Sequence, residues 1–330
     1  MSVRVRSFAK INLGLLIGPR RRDGFHELRT VYQTVALHDV LRVEVRRGSG
    51  IEILCQDPRV PRDRTNSCYR VAERVMKWLK RRGRVVIEIE KRLPVQGGLG
   101  AASSNGVATM LALERALKAA IPATEKLRIA AEVGSDLPLF CVGGSVLGVG
   151  RGEQVYPLPD LPPIDLVVAT PEIAVSTPQA FAAWDAMARR PGRGIKLTDR
   201  AASDRIETLS RSQCAWWSGL VGPTSGVPRG RDRGDRAEAL LLDLVRTGIE
   251  NDFERVVFSE YPELRQVKRV LERQGARYAS LSGSGSAVYG LFVSAREAKR
   301  AAAALNRAGI PAVATRTLPR REYWKAVSSS

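Results

Sequence analysis

The sequence predicts an α+β fold, and three observations lead there. Alternating apolar segments stand in neighbouring pairs, helical stripes separate them, and no regular strand–helix–strand repeat runs along the chain. Val3 and Val5 alternate with Arg4 and Arg6, and Ala9, Ile11, Leu13 and Leu15 continue the period, which predicts a strand pair. Leu41, Val43 and Val45 predict a further strand, and Ile51, Ile53 and Cys55 another after a glycine turn. From 66 to 82 the period becomes helical through Val71, Val75, Trp78 and Leu79. Val85, Ile87 and Ile89 return to strand over 84–90. Helices are expected at about 103–120, 124–133 and 178–188, with strands at 144–149 and 164–169. Helices near 236–247 and 262–274 precede a strand, a glycine turn and a strand over 276–293. A helix at 296–308 and a strand at 311–316 close the pattern.

Residues 189–236 break it. Gly, Pro, Ser and Arg dominate, with one helical stretch near 200–213, so the segment reads as a mobile insertion or interdomain region. Trp216 and Trp217 within it either anchor the loop on the core or line a partner site.

The 330 residues allow one large or two medium domains, and a 44% hydrophobic content is ordinary for a globular core. No apolar run reaches the roughly 18 residues of a membrane span. The N-terminus reads as a strand rather than a signal peptide, so the cytoplasm is the expected compartment. Four cysteines without a Cys-x-x-Cys pair make neither a disulfide framework nor a zinc site, and only His26 and His38 are available as imidazoles. No protein metal ligand is assigned. A net charge of +19 favours anionic partners without choosing among them, and a solvated basic surface explains it equally.

The segment Pro94-Val95-Gln96-Gly97-Gly98-Leu99-Gly100-Ala101-Ala102-Ser103-Ser104 decides the functional reading. A strand feeds a small-residue loop that opens into a helix. Its three glycines leave backbone N–H groups free to converge on an anion, and the helix N-terminus adds unpaired donors. Ser103 and Ser104 are expected to cap the helix or to bind phosphate or its metal. No lysine stands where a Walker loop needs one, and a dinucleotide fingerprint would put Ser103 in place of its third glycine.

This segment resembles the phosphate loop of the GHMP kinase superfamily. Ala9-Lys10-Ile11-Asn12-Leu13 resembles that superfamily's first motif, and Leu281-Ser282-Gly283-Ser284-Gly285-Ser286-Ala287 its C-terminal glycine motif. Arg21-Arg22-Asp23-Gly24-Phe25-His26-Glu27-Leu28, Gly134-Ser135-Asp136-Leu137-Pro138, Gly150-Arg151-Gly152-Glu153 and Pro171-Glu172-Ile173-Ala174-Val175-Ser176-Thr177 are similar to segments of one branch, the 4-diphosphocytidyl-2-C-methyl-D-erythritol kinases.

The resemblance implies a two-domain fold with a cleft between a ribosomal-S5-like domain at 1–160 and a ferredoxin-like domain at 161–330. It implies phosphorylation of the 2-hydroxyl of a CDP-linked methylerythritol by ATP, in non-mevalonate isoprenoid precursor synthesis, with Mg²⁺ expected. Taken alone, Lys10 reads as a strand-end surface charge and Asp136 as a helix cap or ion-pair member. With the resemblance they become the catalytic pair, Asp136 as general base and Lys10 as its charge partner. Residues 94–104 and Asn66 are assigned to ATP. Asn12, Phe25, His26, Thr177, Gly283 and Ser284 are assigned to the acceptor, with Phe25 stacking on cytosine and His26 bonding its edge. The expected partners are small molecules only, without nucleic acid or membrane, in a monomer or weak homodimer. Homoserine and mevalonate kinases remain the alternative within the superfamily, and a nucleic-acid-binding protein the alternative outside it.

Overall fold

The computed structural model describes residues 2–95, 97–188 and 250–328. Gln96, Cys214, Trp216, Trp217 and the expectations at 189–236, 200–213 and 236–247 lie outside the described residues.

The first sheet has six strands: β1 (Ser2–Arg20), β2 (His26–Arg46), β3 (Ile51–Cys55), β4 (Arg84–Glu90), β5 (Ser145–Gly150) and β6 (Gln154–Pro157). β2 organises it. One edge pairs antiparallel with β1, while the other pairs with β5 through residues 28–33 and with β4 through residues 40–46. The expected N-terminal strand pair is instead one 19-residue strand. Bulges between Phe8 and Ala9 and between Asn12 and Gly14 absorb the change of face that suggested a break.

Helices α1 (Ser67–Trp78), α2 (Ala101–Leu117), α3 (Ala123–Val133) and α4 (Leu137–Val142) pack with this sheet around one core, which includes Val5, Leu41, Ile87, Val71 and Met110. α2 runs through its centre and is continuously buried from Ser104 to Leu113.

The second sheet contains β7 (Asp165–Ala169), β8 (Tyr278–Leu281), β9 (Val288–Phe292) and β10 (Ala312–Arg316) in the antiparallel order β10-β7-β9-β8. That is the ferredoxin-like order. Its helices are α5 (Thr177–Ala188), α6 (Phe253–Glu260), α7 (Pro262–Arg273) and α8 (Ala295–Arg307). Along β7, Val167 and Ala169 face this helical core, whereas Leu166 and Val168 face Ile11, Leu13 and Val31 of the first sheet. Both faces of β7 and β9 are therefore covered. A last helix, α9 (Arg320–Ser328), returns Tyr323 and Val327 to the first core. β6, α4, α6 and α9 were not expected from periodicity. All four are nine residues or shorter, too brief for a period to register.

One buried carboxylate sets the path of the chain into the glycine loop. Asp39 on β2 is fully buried and accepts bonds from the backbone N–H groups of Arg92 and Leu93, both at 2.7 Å. It also accepts from Lys91 Nζ at 2.8 Å and Asn105 Nδ2 at 3.1 Å. Removing it strands four donors. Asp39→Ala is expected to destabilise the chain by about 3–5 kcal/mol, read from equilibrium urea unfolding.

Candidate active site

The glycine loop is pressed against the C-terminal glycine turn. Gly98 has φ +72°, and a Cβ there would stand 2.1 Å from the Ser282 carbonyl oxygen. The Ser282 hydroxyl donates to the Gly98 carbonyl at 3.0 Å, and the Ala287 N–H donates to the Gly97 carbonyl at 3.1 Å. The Lys10 N–H donates to the Leu99 carbonyl at 3.0 Å, tying the loop to β1 as well. Two sequence motifs far apart in the chain thus meet through backbone atoms.

α2 begins at Ala101, with Gly100 as its N-cap in a left-handed conformation and no side-chain cap. This corrects the expectation that Ser103 or Ser104 caps the helix. Both serines lie inside its first turns. Ser104 is buried and accepts a bond from the Ser7 hydroxyl at 2.7 Å, so it lines neither neighbouring cavity. The first-turn N–H groups of α2 have no intrahelical carbonyl, and no acidic side chain competes there for an anion.

A cavity of about 280 Å³ lies on one side of the loop, and a second of about 660 Å³ on the other. Gly98, Gly100 and Ser103 line both. Pro94, Val95, Gly97, Leu99, Ala101, Ala102 and Asn66 line the smaller one. The Asn66 amide is occupied by the fold: its oxygen caps α1 through Cys68 N–H at 2.8 Å, and its nitrogen donates to the Pro61 carbonyl at 2.6 Å. One amide hydrogen and one oxygen lone pair are left over from these two bonds.

Lys10, Asn12 and Asp136 meet in the larger cavity. The Lys10 ammonium is buried, donates to Asn12 Oδ1 at 2.7 Å and stands 3.5 Å from Asp136 Oδ2. Asn12 in turn donates to Thr30 Oγ1 at 2.6 Å. Burial pulls the lysine below its ordinary pKa, and the Asp136 charge opposes that shift. Asp136 sits at the N-cap position of α4 but makes no capping bond. Its carboxylate instead accepts from the Tyr32 hydroxyl at 3.1 Å and keeps about a third of its side chain accessible. Burial first, then the Asp136 charge, holds the Tyr32 phenol well above its ordinary pKa, so it stays a donor.

The far end of this cavity is aromatic. Phe25 is 52% exposed, with the Arg151 guanidinium 5.0 Å above its ring. His26 is buried, stacks on Phe181 at 5.0 Å and bonds Asp185 through Nε2 at 2.8 Å. Thr177 and Ser284 share a hydroxyl hydrogen bond of 2.7 Å at the cavity wall. Gly283 approaches Lys10 so closely that a Cβ would lie 3.4 Å from Nζ.

The structure therefore brings together Lys10, Asn12, Phe25, His26, Asp136, Thr177, Gly283 and Ser284 in one cavity. Sequence reasoning missed Tyr32, Phe181, Asp185 and Arg151. Tyr32 lies opposite Asn12 in the β1–β2 register, which the alternation alone did not reveal. Phe181 and Asp185 follow Thr177 at i+4 and i+8, one face of a helix that was expected, so that spacing could have found them.

The closeness of Gly98 to Ser282 has a direct test. Gly98→Ala combines positive φ with a backbone clash and is expected to lower stability by about 2 kcal/mol or more. Gly309→Ala shares the positive φ but meets nothing within 4 Å. It is expected to cost about half as much, and calorimetric unfolding of the two variants separates clash from strain.

Residues 66–144 match the model of the GHMP kinases N terminal domain, and residues 236–311 match that of GHMP kinases C terminal. The chain is 38% identical over 288 residues to a 4-diphosphocytidyl-2-C-methyl-D-erythritol kinase of Solibacter usitatus, covering 87% of this chain and 80% of that one. A kinase of the same name from Moorella thermoacetica is 32% identical over 94% of this chain and 98% of its own. Among solved structures, a 4-(cytidine 5'-diphospho)-2C-methyl-D-erythritol kinase superposes with a TM-score of 0.70 at 31% identity, covering 96% and 99% of the two chains. A homoserine kinase from Cytophaga hutchinsonii gives 0.69 at 19% identity over 96% and 95%, a likeness of fold alone. Loop, cavity and relatives agree: the chain belongs to the 4-diphosphocytidyl-2-C-methyl-D-erythritol kinase family of the GHMP kinases.

Proposed function

We propose that this kinase transfers the γ-phosphoryl group of ATP to the 2-hydroxyl of 4-diphosphocytidyl-2-C-methyl-D-erythritol, a step of non-mevalonate isoprenoid precursor synthesis. The observation that carries the reading is the junction of two cavities at the glycine loop, with Lys10 and Asp136 beside it and an aromatic end beyond. The smaller cavity and the N-terminus of α2 suit a nucleotide with its phosphates on the loop. The larger one suits an acceptor whose base stacks near Phe25 and Phe181, while its alcohol reaches Lys10 and Asp136.

An alcohol must lose its proton as the new phosphorus–oxygen bond forms. Asp136 is the group placed to take it, because its carboxylate is ionically paired, faces the cavity and is held by Tyr32. Lys10 stands 3.5 Å from that carboxylate and offsets the negative charge of the transferring group. Asn12 orients the ammonium and, through Thr30, is itself held in place.

Mg²⁺ is the expected companion of the nucleotide. Among the described residues no cluster of three or more His, Cys, Asp or Glu forms a protein cage. A nucleotide-bound Mg²⁺ is held mainly by phosphates and water with one or two protein oxygens. The Ser103 hydroxyl lines the larger cavity and would supply one such oxygen. When bound, the ion neutralises charge on the phosphate oxygens.

Purified protein assayed with ATP against a panel of alcohols is expected to phosphorylate the CDP-linked methylerythritol and to leave homoserine and mevalonate unchanged. Asp136→Asn and Lys10→Ala are each expected to lower kcat by about a hundredfold or more while the circular dichroism spectrum is retained. Near-normal turnover in Asp136→Asn would remove it as the base.

A further inference from the structure

The helix that carries Asp136 is too short to hold its own shape. α4 is six residues long, with Asp136 at its N-terminal end and Pro138, which has no N–H to give, in its first turn. A helix of this length is marginal in water, so its contacts set its geometry. The last carbonyls of any helix lack intrahelical partners. Here Gly143 donates back to the Leu139 carbonyl at 2.8 Å, but the next amide, Gly144, donates to Thr34 Oγ1 instead. The carbonyls that remain are taken by α9. The Tyr323 hydroxyl donates to the Phe140 carbonyl at 2.8 Å, Trp324 Nε1 to the Val142 carbonyl at 3.0 Å, and Arg320 Nε to the Gly143 carbonyl at 3.1 Å.

Arg320, Tyr323 and Trp324 stand at i, i+3 and i+4, one face of α9. The fit is close: a Cβ on Gly143 would lie 2.2 Å from the Tyr323 ring. α9 is itself anchored. The Leu318 carbonyl just before it accepts from Gln33 Nε2 and Thr34 Oγ1, both at 2.9 Å. The Arg320 N–H donates to Asp160 Oδ2 at 2.8 Å, and Arg115 donates to the Val327 carbonyl at 3.2 Å. Gln33 and Thr34 directly follow Tyr32, whose hydroxyl bonds Asp136. β2 therefore reaches Asp136 by two routes, once through Tyr32 and once through α9 and α4.

We propose that Tyr323, Trp324 and Arg320 are positioning residues: by gripping the C-terminal carbonyls of α4 they hold Asp136, at the other end of that helix, against Lys10 and Tyr32. None of the three lines either cavity. At 1.5 Å per residue the grip acts across about 9 Å. A misplacement of the base by about 1 Å costs up to about a hundredfold in rate, so a shift of α4 is felt in the chemical step. This inference rests on the reading of Asp136 as general base.

Tyr323→Phe keeps the ring and removes one donor. It is expected to lower kcat about tenfold and to leave KM for ATP and for the CDP-linked alcohol within about threefold. Trp324→Phe removes the second donor and is expected to do the same. Its ring is only half-buried, so it carries the comparison if Tyr323→Phe does not fold. The decisive measurement is a double-mutant cycle. In an Asp136→Asn background, read by single turnover at high enzyme concentration, either substitution is expected to cost less than about twofold, because a residue that acts through the carboxylate has nothing left to act on. An equal loss in both backgrounds marks a merely structural role and overturns the inference, as does raised KM with unchanged kcat. Near-normal turnover in Asp136→Asn alone removes the base itself, and a wild-type protein inactive on the CDP-linked alcohol overturns the function. Both differ from additive losses in an active enzyme that needs Asp136.

Discussion

A buried ammonium is the constraint around which the site is built. Lys10 sits on a strand whose neighbours are apolar on both faces, and burial alone would favour its neutral form. The Asp136 charge opposes that shift, and Asn12 and the face of Tyr32 stand against the lysine's nitrogen. Each of those groups is then fixed by a further contact: Asp136 by the Tyr32 hydroxyl, Asn12 by Thr30. The charge that phosphoryl transfer needs is thereby oriented before any substrate arrives, so little reorganisation accompanies the reaction.

The same lysine explains the glycines. Gly100 and Gly283 both stand against its side chain, where a Cβ would lie 3.1 Å from Cγ and 3.4 Å from Nζ respectively. Gly98 lets the loop carbonyl and the Ser282 backbone touch. A loop from the first layer and a turn from the second can close over β1 only if neither carries side chains at these points. The apolar contact between the two sheets, Ile11 and Leu13 against Leu166, Val168 and Tyr289, holds that closure from below.

Much of this was legible in the sequence because the chemistry lies in short contiguous motifs. The glycine loop announces itself by local pattern, while Lys10 with Asn12, Phe25 with His26, and Asp136 stand out only through their resemblance to family motifs, and the structure gathers them into one cavity or its rim. What was not legible depends on pairing across the chain. Tyr32 joins the site because β1 and β2 place it opposite Asn12, in a ladder with three register shifts. Asn66 and Ser104 also serve the fold, since their polar atoms cap α1 and bond Ser7, and those bonds depend on residues that local pattern does not bring together. Asp39 gave no local sign at all. Its importance comes from burial at the point where β4 turns into the loop.

A crystal structure with a non-hydrolysable ATP analogue and the cytidine-diphosphate alcohol bound together measures the central claim most directly. The account predicts phosphates on the loop at the N-terminus of α2, the pyrimidine beside Phe25, His26 and Phe181, and the acceptor hydroxyl within hydrogen-bond reach of Asp136. Density for both ligands with their reacting ends apart from Lys10 and Asp136 would contradict it.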